Sequence, residues 1–221
     1  MSPSLTHQLI DLMAALLLLI GFAMLSQRRI LRLIHLFALQ GLVLSVNTLI
    51  VAAAINQPHL YFSALLTLTL KVIALPWLLQ RLIDRLNIRW DVETLINIPT
   101  TMLVGILLVI VSFNLALPIT QFAGTITRST LGIAMATVLL SFLMMITRRK
   151  AVPQVIGFLA MENGLFFAAT SATYGMPMVV ELGIALDLLV GVFIFGIFFF
   201  QIRETFDSLD IHHLEKLKDK S

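Results

Sequence analysis

The sequence predicts an all-α integral membrane protein, and three observations carry that reading. Of its 221 residues, 59% are hydrophobic and only 12% are charged, against roughly 45–50% apolar content in soluble domains. The apolar residues fall into runs long enough to cross a bilayer, each bounded by polar residues, proline or glycine. The basic residues gather in the short segments between those runs, as topology determinants do.

A spanning helix needs about 20 apolar residues at a rise of 1.5 Å per residue. Runs of this kind occupy approximately residues 8–26, 33–55, 60–80, 96–117, 129–147, 153–172 and 179–202. About seven transmembrane helices are therefore expected, and they leave no room for an independent catalytic domain. The segment from Ser26 to Arg32 joins the first two spans, and Asn56-Gln57-Pro58-His59 joins the second to the third. Connections this tight pack consecutive helices antiparallel.

Orientation follows from the basic residues, because short cytoplasmic loops carry the positive excess. With the N-terminus outside, the inner face receives Arg28, Arg29 and Arg32, then Arg81, Arg85 and Arg89, then Arg148, Arg149 and Lys150, and finally Arg203, Lys216, Lys218 and Lys220, which is 13 of the 15 Lys and Arg residues. Lys71 lies inside a span and Arg128 in an outer connection. The expected arrangement is N-terminus outside and C-terminus cytoplasmic. The first span has three arginines just after it and no basic residue before it, the reverse of a cleavable signal peptide, so it is expected to be retained.

Composition also excludes chemistry. No cysteine is present, so thiolate-held iron–sulfur clusters and cysteine nucleophiles are ruled out, and no histidine pair at ligand spacing lies within a span. No catalytic, cofactor or metal site is expected on this chain, and any redox centre belongs to a partner. The sequence pI is about 9.6, but the basic residues are loop determinants, so the partner is the lipid bilayer and not nucleic acid. His212 and His213 lie on the polar tail from Glu204 to Ser221, read as a cytoplasmic docking helix or a frayed end.

Spans one to three read as helix, basic turn, helix, short outer turn, helix, and spans five to seven repeat that order around Arg148-Arg149-Lys150. Three spans end on the side opposite to their start, so a second copy in the same orientation needs one extra crossing, which span four supplies. The expected organisation is a first three-helix unit at 1–94, a connector helix at 95–118, a second three-helix unit at 119–203 and a tail at 204–221.

The candidate functional residues are ionisable groups at membrane depth, which cost a few kcal/mol or more and usually mark an ion route. Lys71 lies ten residues from both Tyr61 and Arg81, Glu162 sits in the middle of its span next to Asn163, and Asp187 lies 14 residues before Gln201. The competing reading of Lys71 is snorkelling, but ten residues amount to about 15 Å in either direction, too far for the stem. A paired or hydrated lysine is the expectation. Glu162 is read as a route carboxyl, against a structural one hydrogen-bonded to a neighbouring helix. Asp187 belongs either to the route or to an outer vestibule that begins at Glu181. His35 is either an inner-interface residue near Arg32 or a proton-relaying side chain. Gln40 and Asn47 share a helix face and are expected to make interhelical hydrogen bonds; Asp11 is expected to be an interfacial residue.

The stretch from Leu19 to Arg32, followed by Gln40 and Ser45-Val46-Asn47, resembles the K subunit of complex I and its relatives in multisubunit Na+/H+ antiporters. The whole chain, with Arg148-Arg149-Lys150, Gly157, Glu162-Asn163 and the tail, more closely resembles the hydrogenase-4 component E family of membrane-bound group 4 [NiFe] hydrogenases and formate hydrogenlyase complexes. The resemblance implies a non-catalytic subunit of an oxidoreductase complex in the bacterial inner membrane. Its partners would be antiporter-like membrane subunits, a membrane anchor subunit and hydrogenase subunits carrying the Fe–S clusters and Ni–Fe centre, with proton or Na+ translocation coupled to hydrogen metabolism. The K subunit carries glutamates in its second and third helices where this chain has Gln40 and Lys71, and Glu162 lies about a turn beyond its expected place. A structural adaptor and a stand-alone secondary transporter are the alternative functions.

Overall fold

A computed structural model describes residues 3–56, 58–85, 92, 94–122, 128–173, 183 and 189–191. Apart from Gly183 and residues 189–191, the expected seventh span at 179–202 lies outside the described residues, as does the tail. The helices are α1 (Pro3–Ser26), α2 (Ile30–Ile55), α3 (Pro58–Thr67), a π-helical turn (Leu68–Ala74), α4 (Leu75–Arg85), α5 (Ile98–Phe122), α6 (Arg128–Thr147) and α7 (Ala151–Thr173). The architecture is all-helical. Six stretches among the described residues are long and apolar enough to cross a membrane: Leu5–Ser26, Ile30–Ile55, Leu60–Asp84, Ile98–Pro118, Ser129–Thr147 and Ala151–Ser171.

Local chemistry sets the helix ends. Asn56 terminates α2 in the left-handed conformation, φ 61° and ψ 41°, which Asn adopts more readily than most non-glycine residues. Pro58 then opens α3, where its missing N–H is no loss. α3, the π turn and α4 run on as one membrane-length stretch. The π turn has a local cause in Pro76, which has no N–H and whose ring crowds the carbonyl four residues back. Widening the helix just before it accommodates that clash, and the Leu75 N–H bonds to the Leu70 carbonyl five residues back.

Four helices form the centre. α1 and α2 make one hairpin and α6 and α7 another, with α1 lying against α6 and α2 against α7. α5 covers α1 and α6, and the α3–π–α4 stretch runs along α2. Small residues allow the close approaches, as usual between membrane helices: a Cβ added at Gly164 would lie 3.1 Å from the Val138 backbone nitrogen, and one at Gly157 3.2 Å from the Ser141 carbonyl oxygen. Leu103, Leu107, Ile110 and Leu115 of α5 are exposed, a surface suited to lipid.

The C-terminal ends of α1 and α6 and the segment leading into α5 are tied together at one pole. The Val92 N–H donates to the Arg28 carbonyl at 2.8 Å and the Leu95 N–H to the Thr147 carbonyl at 2.8 Å, while Thr94 and Arg148 form an antiparallel bridge. Arg148 is 1% exposed and donates through Nη2 to the carbonyls of Met24 at 3.2 Å and Leu25 at 2.7 Å. A cation at a helix C-terminus satisfies orphan carbonyls and opposes the negative end of the helix dipole. Burial pushes the Arg148 guanidinium down to about 10, so it stays charged at neutral pH.

Arg148→Met removes two charge-assisted hydrogen bonds and should lower stability by about 1–3 kcal/mol. A thermal melt in mild detergent checks this, with the exposed Arg149→Met expected to melt as the unmodified protein does.

Candidate functional site

The π turn carries Lys71 into the bundle. Lys71 is 1% exposed, and its ammonium donates to Glu162 Oε1 at 2.9 Å and to Asn163 Oδ1 at 2.7 Å, both on α7. Asn163 passes the network on: its Nδ2 donates to Gln40 Oε1 on α2 at 3.2 Å. Three segments, α2, the π turn and α7, thus meet through polar side chains at mid-span. Glu162 is 5% exposed, and Asn163 and Gln40 are 0% exposed. The Phe166 ring lies 5.8 Å from Lys71 Nζ, a cation–π separation.

Gly41 makes this convergence possible. A Cβ at position 41 would lie 2.9 Å from Lys71 Cβ and 3.4 Å from its backbone carbon, so only glycine lets α2 approach the π turn this closely. Gln40, its sequence neighbour, is thereby placed beside Asn163.

Desolvating two ions costs several kcal/mol each, and their attraction offsets that cost only where geometry is good and further hydrogen bonds are made. The Lys71–Glu162 pair has the 2.9 Å contact, the Asn163 carbonyl as a second acceptor and the Phe166 face. Nζ and Oε1 are close enough to exchange a proton directly. The site can therefore exist as an ion pair or as a neutral amine facing a carboxylic acid.

The sequence candidates fare differently. Lys71 and Glu162 come together, with Asn163 and Gln40. His35 does not join them: it is exposed on α2, with Nδ1 2.7 Å from the Leu31 carbonyl of its own helix. Asp187 and Glu181 lie outside the described residues. Asp11 accepts from Ser129 Oγ at 3.2 Å and Thr130 Oγ1 at 3.3 Å, tying α1 to the start of α6. The interhelical hydrogen bond expected of Asn47 is not made: the residue is 0% exposed and neither amide atom has a partner. Sequence reasoning missed the roles of Gly41 and the π turn, whose available signals were Gly41 itself and Pro76, five residues after Lys71. Among the described residues no group of three His, Cys, Asp or Glu side chains could hold a metal ion.

Fold and site together define a multi-pass, all-helical membrane protein with a buried lysine–glutamate pair inside its bundle. The chain belongs to the family of uncharacterized protein Rv0085 of Mycobacterium tuberculosis, to which it is 30% identical over 212 residues, 96% of each chain. It is also similar to Hydrogenase-4 component E of Escherichia coli K12 and of Shigella flexneri, 28% identical over 116 residues, which covers 52% of this chain and 54% of those proteins. This is a distant relationship. No family model matches the chain, and no solved structure does.

Removing one partner of a buried ion pair strands the other charge, so Lys71→Met and Glu162→Met should each destabilise the protein by about 3–5 kcal/mol, and the double variant by less than either. Thermal melts of the four proteins in one detergent close the cycle; additive losses would mean that the two groups are not coupled. Gly41→Val should cost about 1–3 kcal/mol by overpacking the α2–π contact, read in the same melts.

Proposed function

We propose that this chain is a non-catalytic membrane-arm subunit of a hydrogenase-4-like complex and contributes to proton or Na+ movement coupled to hydrogen metabolism. The observation that carries this reading is the Lys71–Glu162 pair, hydrogen-bonded to Asn163 and buried at mid-span. A purely structural helix contact could be made by neutral polar groups at lower desolvation cost. A group that must exchange charge with a neighbour gives an ion pair a use. The likeness to Hydrogenase-4 component E supports the choice of complex, and the similarity of the first three spans to the K subunit of complex I belongs to the same proposal.

In this reading the chain sits in the bacterial inner membrane with its N-terminus outside, among antiporter-like, anchor and hydrogenase subunits that carry the Fe–S clusters and nickel. The two three-helix units at 1–94 and 119–203, joined by a connector at 95–118, are part of it. Their corresponding helices, α1 with α6 and α2 with α7, lie against each other, which favours the division. Asp187, in the last expected span, is proposed as a further route residue. His35, exposed and bonded to its own helix, has the weakest claim.

The test is ion movement accompanying hydrogen formation in intact membranes. Glu162→Gln and Lys71→Ala should each lower it by about tenfold or more, the scale of losing a proton-transfer group, while the complex still assembles on native gels. Full coupling in both variants would sink the proposal. Loss of assembly with normal coupling per assembled complex would instead identify a structural adaptor.

A further inference from the structure

We infer that Gly183 is a positioning residue for the buried pair: its bare backbone seats the Phe166 ring beside the Lys71 ammonium, and through that ring the last expected span bears on the charge site. Three observations lead there. Glu162 and Phe166 are four residues apart on α7, so they lie on one face a turn apart. Phe166 is 5% exposed, and its ring centroid lies 5.8 Å from Lys71 Nζ. Gly183, buried and helical, comes against the same ring: a Cβ there would lie 2.6 Å from Phe166 Cδ2 and 2.9 Å from Cε2.

A glycine in a membrane helix usually lets two backbones approach. Gly157 and Gly164 are of that kind, since the atoms nearest to an added Cβ include the Ser141 carbonyl oxygen and the Val138 backbone nitrogen. Gly183 is not. All three atoms nearest to its added Cβ belong to the Phe166 side chain, so the missing side chain leaves room for one ring. Ordinary contact begins at 3.4 Å, and a methyl group at position 183 therefore drives the ring edge away from where it now rests. In a close-packed interior a buried ring takes up such a change by turning or shifting as a whole.

The consequence falls on the ammonium. A ring face attracts a cation within about 6 Å of its centroid and offers a neutral amine little. At 5.8 Å the contact stands near that limit, so a small displacement of the ring changes it. Where the ring sits thus bears on the balance between the ion pair and the neutral amine facing an acid. Gly41 sets the lysine stem from α2, with 2.9 Å between an added Cβ and Lys71 Cβ, and Gly183 sets the covering ring from the last expected span. Two glycines on different spans bound one charge. What the ring's position does for ion movement rests on the proposed ion route; the contact of Gly183 with Phe166 does not.

Changing Lys150, Lys216, Lys218 and Lys220 to Arg leaves Lys71 as the sole lysine of the full chain, and isotope-labelled lysine read by NMR in mild detergent then reports on its amine alone. Gly183→Ala should shift that resonance. Gly132→Ala should not, although a Cβ at Gly132 would meet the Phe113 ring at 2.9 Å. Phe166→Leu, whose branched end can turn aside, should itself shift the resonance and make an added Gly183→Ala silent. In intact membranes Gly183→Ala should lower ion movement accompanying hydrogen formation by about two- to fivefold, the factor one cation–π contact is worth, with no further loss when it is added to Phe166→Leu. Should Gly183→Ala alone fail to fold, its recovery in the Phe166→Leu background supports the same contact. A Lys71 resonance unmoved by Gly183→Ala, an equal shift with Phe166→Leu present, or failure to fold in both backgrounds would overturn the inference. Inert Lys71 and Glu162 variants would defeat the functional proposal and leave the spectroscopic result standing.

Discussion

An ammonium group cannot rest in the middle of a bilayer without a counter-charge and acceptors, and the arrangement around Lys71 follows from that constraint. Its stem is too short to reach either interface, so the protein must bring acceptors to it. α7 provides two consecutive ones, the Glu162 carboxylate and the Asn163 carbonyl. Two adjacent helical residues point about 100° apart, so both can serve one cation only if it approaches between them. That fixes the rotation of α7, and the amide left on Asn163 fixes α2 through Gln40. One charge thereby sets the mutual rotation of three segments far apart in sequence.

The π turn belongs to the same constraint. A π-helical segment is rare and commonly marks functional positions, and here its origin is local, since Pro76 would clash with a regular helix in the turn before it. Lys71 lies at the middle of the widened turn, and opposite it Gly41 has no Cβ to hold α2 away. Proline and glycine, usually helix liabilities, together place a lysine where a regular helix flanked by larger residues would not.

The spans were legible because hydropathy registers length and composition: the runs at 33–55, 129–147 and 153–172 end within three residues of α2, α6 and α7. Depth was legible too, since counting residues from the interfaces placed Lys71 and Glu162 at the same level. The pairing was not. Which face of α7 meets the π turn depends on tertiary rotation, and the partner stands 91 residues away. The wide turn was hidden for a different reason: Val, Ile and Leu around Lys71 are as apolar in a π helix as in an α helix. Asn47 and Gln40 look alike in sequence, yet one is bonded across the interface and the other is not, a difference set by where α7 carries Asn163.

A lysine–glutamate pair has a property that a lone carboxyl lacks. As an ion pair or as a neutral amine and acid, its net charge is zero, so internal proton exchange moves little charge against the surrounding lipid. Adding a proton to the pair leaves a net positive charge, and removing one leaves a net negative charge; either is costly when buried. Such a site holds an added or lost proton briefly unless a compensating charge appears beside it. Net transfer therefore requires a second group that alters the pair's charge state at the right moment. Such a group can be supplied by another span of this chain or by another subunit.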